Sequence, residues 1–203
     1  MQYRCQVTSV EGFIQQLAVA YVARGYFFYV AGRIPARKDR HRVDEKLVER
    51  YQVELSQWAR ARRKRSGKAN VQYLRHEDFF VIVATHGEHR FYELEGKNVR
   101  DVRRCSIKYG GYAVAFRGGH VQVRIDLRQY RELKAWFEEE ATRRSTEQLA
   151  KAFYDLPFEP YYVVRQQEFH LLRAVNRRRK AAGLPLIPKA CIWLKRRPVK
   201  PFW

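Results

Sequence analysis

Between Val71 and Asp126 glycine cuts the chain into short apolar runs, and this punctuation limits the possible folds more than any other feature. Val71 to Arg75, Phe79 to Thr85, Arg90 to Leu94, Val102 to Lys108 and Tyr112 to Phe116 are strand-length and rich in β-branched and aromatic residues. Gly87, Gly96, Gly110-Gly111 and Gly118-Gly119 stand at the joints as turns, and His120 to Asp126 (HVQVRID) forms the last run. Strands this short must pair with one another, so a mostly antiparallel sheet is expected.

The flanking segments change period. Gln2 to Thr8 alternates like a strand, and Val10 to Arg24 places Phe13, Ile14, Leu17, Ala18 and Tyr21 on one helical face. Ser9 suits its N-cap and Gly25 its C-terminal stop. Tyr26 to Ile34 reads as a buried strand, and Pro35 to Arg42 (PARKDRHR) as a polar break. From Val43 one long helix is expected, with Leu47, Val48, Tyr51, Leu55, Trp58 and Ala59 on its apolar face. Helices are also predicted over Leu127 to Ala141 behind an Asp126 cap, from Ser145 toward Leu156, and over Tyr161 to Ala182 before Gly183 and Pro185. The first of these carries Tyr130, Leu133, Trp136 and Phe137 on one face. The expected fold class is α+β, divided into a core (1–142), a helical annex (143–183) and an extended basic tail (184–203) that contains four prolines.

Charge directs the functional reading. Lys and Arg number 41 against 21 Asp and Glu, a formal charge of +20. Confining that excess in one folded body costs self-repulsion, which a polyanionic partner relieves. Nucleic acid, DNA or RNA, is the expected partner, because its phosphates exchange condensed counterions for Lys and Arg. Hydrophobic residues at 46% are ample for a core, so the charge does not mark a disordered tail. The longest apolar runs are far shorter than the roughly 20 residues of a membrane span, and the N-terminus lacks a signal-peptide layout. No membrane partner and a cytoplasmic location are therefore expected. Cys5, Cys105 and Cys191 are widely spaced and odd in number, the pattern of small core hydrophobes rather than of a disulfide framework.

The cations concentrate in three places. Arg60, Arg62, Arg63, Lys64, Arg65 and Lys68 are six basic residues in nine positions at the end of the long predicted helix. Arg177, Arg178, Arg179 and Lys180 end another. A helix C-terminus is complemented by one or two cations, so both clusters exceed what the macrodipole uses and point to phosphate. The tail interleaves Lys189, Lys195, Arg196, Arg197 and Lys200 with Trp193, Phe202 and Trp203. Its aromatics either stack on unpaired bases or pin the tail to the body.

Catalytic motifs are sparse. No phosphate-binding G-x-x-x-x-G-K-[ST] loop and no G-x-S-x-G elbow is present. Glu95-Gly96-Lys97 has the Glu-x-Lys spacing of one nuclease class but sits in a predicted turn. His86 and His89 stand three apart in a glycine turn beside carboxylates; the spacing matches no zinc signature, and a solvated hairpin turn accounts for it. On the last strand, His120 and Gln122 share one face, with Val121 and Val123 on the other. This His-hydrophobic-Gln pattern resembles the variant HUH signature of rolling-circle replication initiators and related nicking enzymes. The resemblance implies a divalent metal (Mg or Mn) held by His120 and Gln122, and a helix-borne tyrosine attacking the scissile phosphate, with Tyr130, Tyr154 and Tyr161 (beside Tyr162) as candidates. The family's Tyr-x-x-Lys spacing is not met; Tyr130 to Lys134 is one residue longer.

Three functions remain open at this level. The first is a nucleic-acid-binding protein needing no cofactor, gripping phosphates with the helix-end clusters and the tail residues Trp193, Lys195, Arg196 and Arg197. The others are a metal-dependent DNA-nicking endonuclease of replication or transposition, and a structural subunit of a ribonucleoprotein.

Overall fold

The computed structural model describes residues 3–192, 194 and 199–202. It is an α+β protein with two antiparallel sheets, 46% helical and 19% strand. Two compact units divide it: the described residues of Met1–Tyr109, Val114–Val121 and Val199–Trp203, and those of Gly110–Ala113 with Gln122–Pro198.

In the first unit, Ser9 opens helix α1 (Val10–Gln15) by accepting a bond from the Gly12 amide. The helix continues as a π-helical stretch (Gln16–Tyr21) and a tight last turn (Val22–Arg24), and Gly25 ends it at φ 92°. The expected face, Phe13, Ile14, Leu17, Ala18 and Tyr21, is buried. Strand β1 (Phe28–Arg33) pairs with β3 (Phe79–Ala84), which pairs with β2 (Val71–His76). A short β4 (Arg100–Asp101) completes the order β2-β3-β1-β4. Every residue of β2 is buried, so this strand is covered on both faces. One face carries Val71, Tyr73, Ile82 and Ala84 into a core with Tyr51, Val53 and Phe91. On the other, Phe13 of α1 packs edge-on against Phe79 at 5.7 Å.

The segment from Gln2 to Thr8, read as a strand, forms no strand among its described residues and pairs with β2 through an isolated bridge from Gln6 to Arg75. The long helix expected from Val43 is in fact two, α2 (Arg40–Arg50) and α3 (Gln57–Arg65). Asp39 starts α2 earlier than expected by accepting from the amides of His41 and Arg42. The break comes from Gln52, which adopts φ 49°. Its amide bonds to Glu49 O (3.1 Å) and that of Val53 to Val48 O (3.0 Å), a Schellman stop with glutamine where glycine is usual. Ser56 then caps α3 through the Ala59 amide.

The predicted strand at Arg90 to Leu94 is a helix, α4 (Arg90–Glu95), because the His89 side chain caps it through the Phe91 amide. The predicted strand Val102 to Lys108 is interrupted by a turn in which Asp101 accepts from the Arg103 and Cys105 amides. Only β5 (Ile107–Tyr109) survives there, and Cys105 is exposed rather than buried.

Strands β6 (Tyr112–Arg117) and β7 (His120–Ile125) join β5 in the order β5-β6-β7. Gly110-Gly111 (φ 54° and 80°) and Gly118-Gly119 (φ 57° and 81°) make the turns, where a left-handed pair matches strand twist.

The second unit is built on α5 (Leu127–Glu140), α6 (Thr146–Tyr154) and α7 (Tyr162–Ala181). Asp126 caps α5, and Ser145 with Gln148 forms a reciprocal capping box on α6. Phe137 stacks on Phe153 at 4.1 Å among Leu149, Leu171, Leu172 and Val175. Asn176 of α7 bonds both backbone groups of Ile187 at 2.8 and 2.9 Å, fixing the chain just beyond the helix. In the first unit, Pro201 O accepts from the Thr8 amide at 3.3 Å. Within the tail, Ile187 and Pro201 are thus each held through their backbone groups, Ile187 by a side chain and Pro201 by another backbone amide.

Candidate nucleic-acid interface

The basic cluster of α3 divides by helical phase. Arg60 and Arg63 turn inward. Arg60 donates to Leu55 O at 2.8 Å, and Arg63 donates to Ala69 O at 3.2 Å and Gln52 Oε1 at 3.5 Å. Their guanidiniums therefore bind together the turns at the two ends of α3. Arg62, Lys64, Arg65 and Lys68 are exposed, and none forms a salt bridge among the described residues.

Nor does the helix end need them as caps. Gly67, at φ 73°, closes α3, with its amide on Lys64 O (3.3 Å) and that of Lys68 on Arg63 O (2.9 Å). The turn beyond is clamped by exchange between Glu88 O and the Ala69 amide, and between the Glu88 amide and Gly67 O, each at 3.0 Å. A side chain at Gly87 would meet Gly67 O at 2.5 Å, so only glycine fits this approach. The outward cations project from a rigid base.

Trp58 departs from expectation most. Placed on the apolar face of a single long helix, it is instead 79% exposed on α3. The break at Gln52 resets the phase, and α3 rests on Ala59, Arg60 and Arg63. Trp58, Arg62 and Arg65 then follow at i, i+4 and i+7 along one outward stripe. The sequence carries this as a spacing, an aromatic in register with the arginines.

The α7 end behaves differently. Arg179 is 2% exposed. It donates to Pro185 O (2.6 Å), Ala141 O (2.8 Å), Arg144 O (2.9 Å) and Thr146 Oγ1 (3.0 Å). The guanidinium caps the carbonyl end of α5, where the helix dipole favours a cation, and has no face left for phosphate. Arg178 sits 3.6 Å from Glu138. Arg177 and Lys180 are exposed. The tail candidates Trp193, Lys195, Arg196 and Arg197 lie outside the described residues.

His120 lies exposed on β7 in the first unit, its Nδ1 2.9 Å from Gly118 O. Gln122, further along the same strand, belongs to the second unit, as do the tyrosines. Tyr130 packs against the helical core, Tyr154 is half exposed, and Tyr161 lies edge-on to Tyr112 at 6.4 Å. Tyr162 is 69% exposed. Burial raises the Tyr130 phenol above its ordinary value, with the Glu138 charge adding to it. No group of three or more His, Cys, Asp or Glu able to hold a metal occurs among the described residues. His89 is occupied as the α4 cap; burial first, then the Arg63 and Arg90 charges, lowers its pKa to about 4 and keeps the ring neutral.

Carboxylates gather elsewhere in the first unit. A cleft of about 860 Å³ is lined by Cys5, His41, Asp44, Glu45, Glu49 and Glu54. Asp44 is bound by the buried Arg75 at 2.7 Å and by the Tyr73 hydroxyl at 2.6 Å. Burial, with the Asp44 charge, pushes the Cys5 thiol up to about 12. The exposed Glu45, Glu49 and Glu54 disfavour phosphate in this cleft, in contrast to the basic outer face of α3.

No protein-family model matches the chain. No curated protein shows significant similarity to it. Among the described residues, no helix is long and apolar enough to cross a membrane.

Proposed function

We propose that this protein binds nucleic acid, gripping the phosphate backbone with the outward cations of α3 and, secondarily, with Arg177 and Lys180 of α7. The observation that carries the reading is that Arg62, Lys64, Arg65 and Lys68 are exposed and form no salt bridge among the described residues. Cations kept unpaired on a rigid helix end are ready to displace counterions, and a net charge of +20 draws a polyanion toward them.

The test is the salt dependence of binding to labelled oligonucleotides. Replacing Arg62, Lys64, Arg65 and Lys68 by Ala is expected to reduce the slope of log K against log salt by roughly 3, at 0.7–0.9 per phosphate contact. A slope equal to that of the wild type would remove α3 from the interface. Arg63 and Arg179 do not belong in such a variant, because their donors hold the fold.

A further inference from the structure

We infer that the outward stripe of α3 is a stacking platform for single-stranded nucleic acid, with Trp58 receiving an unpaired base while Arg62 and Arg65 hold the adjoining phosphates. This rests on the nucleic-acid reading above and narrows it to strands whose base faces are open.

Three observations meet at this stripe. Trp58 is 79% exposed on a helix whose cap, phase and last turn are all fixed by named bonds, so its exposure belongs to the fold rather than to a frayed end. Arg62 and Arg65 rise about 6 and 10 Å beyond it along the helix axis, on the same face. Ala61 is the remaining residue of that face, and its methyl group leaves the space beside the indole clear.

Trp136 of α5 is placed differently. Trp136 also reaches the surface, but its ring lies 4.9 Å from Phe137 and beneath the Arg144 guanidinium at 5.3 Å. Phe27 and Phe28 are likewise covered by Arg103 at 5.0 and 5.6 Å, and Arg103 is held by Asp101. Trp58 has no ring or cation contact among the described residues, although Arg62 and Arg65 follow it on the same face. An uncovered indole, followed along the helix by two guanidiniums that form no salt bridge among the described residues, offers a π-face and two phosphate donors to one incoming strand.

Duplex does not use this arrangement well. Bases in a duplex cover one another's faces and present only edges in the grooves, and an indole has a single donor with which to read an edge. Unpaired bases present faces of every sequence, which an aromatic platform accepts without discrimination.

The experiment titrates the full chain with dT and rU oligonucleotides, with a duplex of equal length and with phosphatidylglycerol vesicles. Trp58→Ala is expected to weaken single-strand binding about 5- to 100-fold, the range for one stacked base. Duplex affinity stays within about twofold, the thermal midpoint is unchanged at so exposed a position, and Trp58→Phe restores most of the loss. Indole fluorescence of the wild type is quenched by oligonucleotide, and the quenched component is missing from Trp58→Ala. Equal loss on single strand and duplex, or loss on neither, overturns the platform while leaving the phosphate grip standing. Loss on vesicles alone assigns the stripe to a lipid surface and overturns it too. Wild-type protein that binds no nucleic acid at low salt brings down the underlying reading itself.

Discussion

The ends of α3 and α7 look alike in sequence and are used in opposite ways. Each is a run of consecutive Arg and Lys at the close of a helix. At α7 the run is partly absorbed into the protein: Arg179 is buried on four oxygen acceptors, and Arg178 faces Glu138. At α3 backbone bonds close the helix, and the cations on its outer face form no salt bridge among the described residues. What separates the two is helical phase. One position in four or so faces inward, and an arginine that falls there is drawn to stranded carbonyls, whatever its neighbours do.

The strongest test of this contrast is Arg179→Ala. The substitution strands the carbonyls of Ala141, Arg144 and Pro185 and the Thr146 hydroxyl. A stability loss of about 3–5 kcal/mol is expected in urea, while Arg177→Ala, two residues away, stays within about 0.5 kcal/mol. Equal effects would mean that burial is not what distinguishes the arginines of α7.

Glu168, 4% exposed on the same helix, is the unfavourable counterpart of Arg179. Burial raises its pKa from 4.5 to about 7, and Arg165 opposes only part of that. The folded state therefore prefers the neutral acid. Its contribution to stability is intact below about pH 4.5 and is lost as pH rises through 7, on the order of 3 kcal/mol in all. Glu168→Gln keeps the shape without the charge. Its unfolding midpoint is expected to exceed that of the wild type at pH 8 and to match it near pH 4.5. A wild-type pH profile retained in the variant would place the titration elsewhere.

Within α3 the same contrast recurs at a smaller scale. Arg63→Ala removes donors to Ala69 O and Gln52 Oε1 and is expected to cost about 1 kcal/mol, with little change in salt slope. Arg62→Ala should do the reverse, leaving the urea midpoint alone and lowering the slope by about 0.7–0.9. If both lower the slope equally, the inward guanidinium still reaches the ligand.

Much of this architecture is legible in the residues. Ser9 and Gly25 bound α1, paired glycines turn β5 into β6 and β6 into β7, and Asp126 and Ser145 open their helices, because each of these signals is local and chemically strong. What escapes is decided by less usual agents. Glutamine at position 52 takes the left-handed conformation that would be assigned to glycine, so the helix break is invisible and Trp58 falls on the wrong face. His89 acts as a helix cap, turning an apparent strand into α4. Charge runs declare how many cations there are but not which of them the fold retains. Arg179 is set apart only by the fold, which brings the C-terminal end of α5 and the start of α6 around it.

The smallest expected effect discriminates as well as the largest. Replacing Arg62, Lys64, Arg65 and Lys68 together by Ala removes four like charges from the turn at the end of α3 and breaks no salt bridge among the described residues. The cations complement the helix dipole by about 0.3–1 kcal/mol each where exposed, but that gain is set against repulsion among neighbours and against a net charge of +20. The two terms are similar and opposed, so the thermal midpoint should barely move, and the small change should be upward at low salt, where repulsion is least screened. A clear fall in the midpoint would show that these side chains serve the fold after all, as Arg179 does. A midpoint that holds while binding and its salt dependence collapse would identify them as cations maintained at some electrostatic cost for a partner outside the chain.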